Sequence, residues 1–408
     1  MNYFSFRKKF LLTIACLLAA VEFSRYHLQV EAKQLWKVGI NLVRPLMPGG
    51  TIGIVGGGQL GKMMTISAKN MGFHVGVLDP VNDCPTAQLA DWHIVADCDD
   101  VLALEALAKR SDIVTYETSK IGVESLNAVI DSANVPQGTD LLAITQDRLM
   151  EISFLETNNV VIPPYETIIS PTDIQEAIDS IGFPCVLKVT RDSEQQYILN
   201  SMSDLAPSMG LLREGTCVLE ALIPVKKQLS VLVAGNGQEY TTFPVTETIY
   251  RDGILFETIA SADIAEEVSD EVKRIGIQIG EALALHGVLA IDMVLTESGS
   301  IYTIKLTPRP HSVGNYTIDV CNMSQFDAHI RGVCGWPLGE VQLFSKAVTV
   351  NILGTALSTS FRLIPEKKDW NFYYYGKKRT VNHRKMGHIT IPTTTPERVL
   401  SEIDGTNL

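Results

Sequence analysis

The sequence carries no excess of positive charge: 34 Lys and Arg stand against 46 Asp and Glu, a net charge of −12 over 408 residues. No basic patch dominates, which argues against general nucleic-acid binding but leaves room for a small anionic ligand, since a site needs only a few local cations. Its seven cysteines (Cys16, Cys84, Cys98, Cys185, Cys217, Cys321 and Cys334) include no CxxC pair. An odd, scattered set reads as buried or free thiols of a reducing compartment, not as a disulfide framework or a zinc site. Internal repeats and low-complexity tracts are absent. So is a membrane span: the apolar run from Phe10 to Val21 falls well short of the ~20 residues a bilayer takes.

That run follows Arg7-Lys8-Lys9 and precedes Val30-Glu31-Ala32, the shape of a signal peptide with a cleavage site. Arg25, His27 and Lys33 prolong the polar stretch after it, which suits an extension foreign to the working protein equally well. Residues 1–46 are therefore read as a leader or a non-native extension. The working protein is expected to begin near Met47 and to be cytoplasmic, with no membrane association of residues 47–408.

What is present is enough chain for two or three domains. Residues 47–145 alternate strand and helix: strands at Thr51–Val55, His74–Leu78, Ile94–Ala96 and Ile113–Tyr116, helices at Lys62–Asn70, Val101–Lys109 and Val123–Ser132. This pattern predicts a doubly wound parallel sheet. Gly56, Gly58 and Gly61 satisfy G-x-G-x-x-G at the first strand-to-helix turn, and Asp79 lies 18 residues after Gly61. Amides at a helix N-terminus attract anions, so an NAD-dependent oxidoreductase is one reading of this domain.

Residues 146–345 hold a candidate helix at Leu149–Thr157, an apolar strand ending Leu187-Lys188-Val189, a strand at Cys217–Glu220 and an amphipathic helix at Ala265–Leu285. A lysine inside an apolar strand is uncommon unless it is paired or faces a cleft. Ala290–Leu295 and Ile301–Leu306 then predict a hairpin turning at Ser298-Gly299-Ser300, followed by Pro308-Arg309-Pro310-His311. The period of two lets Asp292 and Lys305 face one cleft, with Arg309 and His311 just beyond. Taken alone, the stretch is equally a buried hairpin with a surface turn. Residues 346–408 open on a strand at Ala347–Leu353 and carry a second at Trp370–Tyr375, then a basic segment that alone reads as a solvated loop.

Several of these motifs, in order from about residue 47 to 395, resemble 5-(carboxyamino)imidazole ribonucleotide synthase, an ATP-grasp ligase family. The matching runs are GGGQLGKMM, VLDP, Val114–Glu117, Gln146-Asp147-Arg148, Phe243-Pro244-Val245, Pro308–His311, Tyr375-Gly376-Lys377 and Arg384–His388. The resemblance implies an ATP-grasp fold, α/β and α+β: a Rossmann-like domain at 47–145, an ATP-grasp domain at 146–345 and a small β-rich domain at 346–408. It implies ATP-dependent carboxylation of 5-aminoimidazole ribonucleotide by bicarbonate through carboxyphosphate, with Mg²⁺ between ATP phosphates, in a homodimer that passes its carbamate to a downstream mutase. Carried over by matching position, Arg148, Lys188, Glu220, Ala221, Leu222, Ile223, Gln228, Tyr250 and Ile304 would hold ATP. Asp292 would hold the metal, and Arg309 and Lys305 would sit at the reaction. Gln59, Leu60, Glu117, Lys377, Arg384 and Lys385 would hold the ribonucleotide.

The departures fall at the chemistry. Lys305 replaces the second metal carboxylate, and an ammonium ~4 Å from a divalent ion costs ~8 kcal/mol at an effective dielectric of ~20. The lid after Lys188 is Thr190–Tyr197, without glycine and with Asp192 and Glu194 added. Gln228 replaces a ribose glutamate, Thr118-Ser119-Lys120 removes a second carboxylate after Glu117, and Tyr250 replaces a histidine. A catalytically dead homologue that still binds ATP or ribonucleotide therefore stands beside the active ligase as an alternative.

Overall fold

The computed structural model describes residues 44–130, 133–191, 195–406 and 408. The leader up to residue 43 and the acids Asp192 and Glu194 of the expected lid lie outside them.

Short β-branched runs build the first layer. Trp92–Ile94, His74–Leu78, Thr51–Val55 and Ile113–Tyr116 pair in that order, all parallel. The first helix is Gln59–Asn70, starting three residues before the expected Lys62, because Gly58 supplies the extended N-cap (φ −74°, ψ −163°). The edge strand is Trp92–Ile94 and not Ile94–Ala96. Trp92 lies against Gly76, where a Cβ would come within 2.1 Å of the ring, and Arg110 stacks on it with 3.7 Å between guanidinium carbon and ring centroid. Helices Val101–Ala108 and Val123–Val129 follow their expected starts, and Asp100 caps the first through the amides of Leu102 and Ala103.

The second layer is one nine-stranded sheet. Its order is Ile301–Thr307, His286–Leu295, Lys227–Asn236, Thr246–Arg251, Ile254–Ala260, Ala347–Leu353, Lys385–Pro392, Asn371–Tyr374, with Tyr240–Thr242 also beside Lys227–Asn236. The C-terminal strands thus continue the central sheet through the antiparallel pairing of Ile254–Ala260 with Ala347–Leu353. Glu266–Ala282 packs Val272, Ile275 and Ile279 onto this sheet, and Ala284 (φ +45°) ends it short of the expected Leu285. His286, the next residue after that expected end, opens the strand His286–Leu295. A third, four-stranded sheet, Tyr165–Ile168, Cys217–Ala221, Cys185–Val189 and Gln196–Leu199, carries Lys188. Six cysteines among the described residues are free thiols, five of them buried. No helix among the described residues is long and apolar enough to cross a membrane.

Candidate active site

The glycine turn is already capped by the protein itself. The Gly58 N–H donates to Glu117 Oε1 at 2.5 Å and the Gly57 N–H to Asp79 Oδ2 at 2.7 Å. Glu117 sits at the end of Ile113–Tyr116 and closes over the turn, leaving no room for a side chain on Gly58, whose Cβ would lie 2.5 Å from the carboxylate. The place a dinucleotide pyrophosphate would occupy is filled by two carboxylates. This sets aside the NAD reading that G-x-G-x-x-G kept open. Burial pushes Glu117 up to about 7, against the pull of Arg309 and the Gly58 amide.

Arg309 comes from the Pro-Arg-Pro-His loop, and the C-terminal segment brings further cations to it. Lys62 Nζ donates to Tyr375 O (3.1 Å) and Gln88 Nε2 to Gly376 O (3.1 Å), so the first layer holds the Tyr375–Lys377 turn in place. Lys377 Nζ donates to Lys385 O (2.7 Å), and Lys385 Nζ reaches Ser312 Oγ (3.2 Å). Burial first, then neighbouring cations, hold both lysines down to about 8: Arg384 and Lys385 act on Lys377, Arg309 on Lys385. Glu117, Arg309, Lys377, Lys385 and the more exposed Arg384 therefore face one space from three distant stretches of chain. His311 is kept neutral there by burial and by the positive charges of Lys385, Arg309 and Lys305, and its Nδ1 is buried with no hydrogen-bond partner.

Across the hairpin Asp292 and Lys305 stand opposite each other in register. Pairing then skips to Met293 with Thr303, which makes Ile304 the extra residue of a β-bulge. No ion pair joins them among the described residues. Asp292 Oδ1 is buried without a partner, and burial raises its carboxyl to about 6. Tyr250, from the neighbouring hairpin, feels the Asp292 charge.

A second charged group lies at the start of helix Arg148–Thr157. Asp147 caps it through the amides of Leu149 and Met150 and pairs with Arg191, placing Arg148 in the first turn. Arg148 forks onto Glu220 (Nε–Oε1 2.7 Å, Nη2–Oε2 2.9 Å) and reaches Glu151 (2.6 Å). Lys188 Nζ meets the same Glu220 at 3.1 Å. Two acids thus balance two cations in a nearly dry setting. Burial pulls Lys188 down, and Glu220 ends below its usual range because Arg148 and Lys188 outweigh its desolvation. Of the hinge that follows Glu220, the Ala221 and Leu222 amides bond Pro164 O and Pro184 O, while the Leu222 side chain is exposed.

Residues 50–146 match the ribonucleotide synthetase preATP-grasp domain, 153–326 the ATP-grasp domain and 347–402 the phosphoribosylaminoimidazole carboxylase C-terminal domain. The N5-carboxyaminoimidazole ribonucleotide synthase of Bacillus subtilis is 39% identical over 367 residues, 88% of this chain and 95% of the relative. That of Staphylococcus aureus is 36% identical over 371 residues, 88% of this chain and 98% of the relative. The chain belongs to the N5-carboxyaminoimidazole ribonucleotide synthase family.

Solved structures of the family agree. An ADP complex of such a synthetase superposes with a TM-score of 0.87 at 38% identity, over 90% of this chain and 98% of that one. The Staphylococcus aureus enzyme with ADP gives 0.86 at 34%, over 90% and 99%. The fold is therefore ATP-grasp and the protein a carbon–nitrogen ligase of that superfamily. Within the family frame, the structure brings Glu117, Arg309, Lys377, Arg384 and Lys385 together, joins Arg148, Lys188 and Glu220 by ion pairs, and sets Asp292 across the hairpin from Lys305, with Tyr250 on the neighbouring hairpin. The Leu60 side chain is buried in the core beside Ile52 and Met64, so any contact it makes with a ligand is through its backbone, whereas Gln59 is half-buried at the helix start. Gln228 lies in Lys227–Asn236 opposite Val294. Sequence reasoning missed Glu151. Its Oε1 accepts the Leu306 amide at 2.5 Å while Oε2 holds Arg148, and the Lys305 charge acts on it. Its i,i+3 spacing from Arg148 was the available signal.

Proposed function

We propose that this chain carboxylates 5-aminoimidazole ribonucleotide with bicarbonate at the expense of ATP. The observation that carries this reading is the meeting of Glu117, Arg309, Lys377 and Lys385, one carboxylate and three cations, in a single partly dry space. A bicarbonate oxygen attacks the γ-phosphorus, ADP leaves, and carboxyphosphate forms. The ribonucleotide amine then attacks the carboxyl carbon, inorganic phosphate leaves, and a proton is lost from nitrogen.

In this reading Lys377, Arg384 and Lys385 take the ribonucleotide phosphate, and Gln59 and Glu117 orient the ring. Arg309 neutralises charge on the transferring phosphoryl and carboxyl oxygens, where a planar guanidinium suits oxyanions. Arg148 and Lys188 exchange part of their hold on Glu220 for ATP phosphates, and the 220–223 hinge receives adenine with Gln228 on the ribose. Mg²⁺ takes hard oxygen ligands. Asp292, with one unpartnered buried oxygen, fits as a single protein ligand, and the metal would supply charge neutralisation between phosphates. Lys305, facing Asp292 and Glu151, stands in for the charge of a second ion. A homodimer and transfer of the carbamate to a mutase complete the reading.

The test is phosphate release by the purified chain with Mg-ATP and bicarbonate, with and without 5-aminoimidazole ribonucleotide. Ribonucleotide-dependent release supports the proposal. Ligand-induced thermal stabilisation without any release would replace it with the second reading, a binding protein without turnover, which Lys305 at the metal hairpin favours.

A further inference from the structure

Behind the cation cluster runs a buried hydrogen-bond chain that ends on the Pro-Arg-Pro-His loop. It starts at Val288, whose N–H donates to His329 Nδ1 at 3.1 Å. Burial holds His329 down to about 3, so the ring is neutral, and a neutral imidazole that accepts at Nδ1 carries its proton on Nε2. Nε2–H therefore donates to Thr115 Oγ1 (2.8 Å), and the Thr115 hydroxyl passes its own proton side to Gln137 Oε1 (2.5 Å). With Oε1 so engaged, Gln137 Nε2 donates to the carbonyl of Pro308 at 3.0 Å. Thr115 and His329 are fully buried and Gln137 nearly so. A second carboxamide grips the other end of the loop: Gln325 Oε1 accepts the His311 N–H (2.9 Å) and its Nε2 donates to His311 O (2.7 Å).

We infer that His329, Thr115 and Gln137 are positioning residues for Arg309. The direction of every bond in the relay is determined from its Val288 end, so the Gln137 amide has one orientation, and that orientation holds the peptide preceding Arg309. The relay also ties the strand Ile113–Tyr116, which Glu117 follows directly, to the same loop. Both sides of the cluster are thereby held to one register. The inference rests on the carboxylation reading, in which Arg309 meets the reacting oxyanion. A misplacement of ~1 Å there costs ~100-fold in rate.

The experiment compares Thr115→Val, which keeps the shape and removes the hydroxyl, with Thr115→Ser, which keeps the hydroxyl. Both are made in the full chain. Thr115→Val is expected to lower kcat for ribonucleotide-dependent ADP formation by ~10–100-fold while KM for ATP stays within about twofold. Thr115→Ser is expected to retain kcat within about threefold. Gln137→Met, which removes the Pro308 bond together with the acceptor used by the Thr115 hydroxyl and the Tyr116 amide, is expected to reproduce the loss of Thr115→Val. Hydrogen–deuterium exchange adds a readout independent of turnover: residues 307–316 exchange about tenfold faster in Thr115→Val than in the parent or in Thr115→Ser, with the rest of the chain unchanged. Exchange in that segment at the parental rate overturns the inference, as does a loss in Thr115→Ser equal to that in Thr115→Val. A rise spread over the whole chain does the same, because it marks a packing role alone. If the parent forms no ADP, the carboxylation reading fails, and the exchange arm by itself decides whether the relay holds the loop.

Discussion

Lys305 stands across the hairpin from Asp292, in a family whose pattern has a carboxylate there, and it faces Glu151 as well. Replacing it by Glu would set a third acid, at an exposed position, beside Asp292 and the buried Glu151. Lys305→Glu is therefore expected to lose about 1–3 kcal/mol without metal and to regain it with millimolar Mg²⁺, while the parent responds little. Thermal unfolding with and without Mg²⁺ checks this, and equal metal responses would contradict it. Glu117 offers a second residue-scale test. Its carboxyl, near Arg309, Lys377 and Asp79, is raised from the ordinary 4.5 to about 7, so folding binds a proton between those values. Stability from this group falls as pH rises through that window and is lowest above 7. Glu117→Gln keeps an acceptor for the Gly58 amide and removes the ionised form. Relative to the parent it should gain about 1–3 kcal/mol more at pH 8 than at pH 5, measured by denaturant unfolding.

At the scale of elements, helix Gln325–Val333 lies so close to the central sheet that one of its residues has no space for a side chain. A Cβ on Gly332 would meet Gly235 O at 2.3 Å and Gly287 N at 2.6 Å, both backbone atoms that cannot rotate away. Gly332→Ala is expected to cost about 1–3 kcal/mol or more, seen as a Tm several degrees lower. Because His329 and Gln325 ride on this helix, the variant should also reduce kcat. The sequence indicated where most elements lie, since β-branched runs and 3.6-residue periods are local. It misjudged ends where distant packing decides them. Trp92–Ile94 took its register from the fit of Trp92 on Gly76, and the helix at Gln59 started early because Gly58 could extend and be capped by Glu117, 59 residues away.

At the scale of the whole molecule, the C-terminal strands complete the central sheet. A chain ending at residue 346 would expose the long edge Ile254–Ala260. It is expected to self-associate, checked by light scattering, and a soluble monomer would contradict the expectation. The cation cluster proposed to take the ribonucleotide likewise exists only in the assembled chain. Lys377 and Lys385, both depressed to about 8, are charged below that pH and neutral above it. Ribonucleotide affinity measured by calorimetry should fall roughly tenfold between pH 7 and 9, with ATP affinity less affected. Local pattern and motif order were enough for the family, the parallel first layer and the hairpin bearing Asp292 and Lys305. Long-range packing alone sets the rest: Glu117 and Asp79 close the glycine turn, Glu151 and Glu220 hold Arg148 while Glu220 also holds Lys188, and two buried glutamines grip the Arg309 loop. Those outcomes depend on pairings across 59, 72 and 171 residues, which no local period encodes.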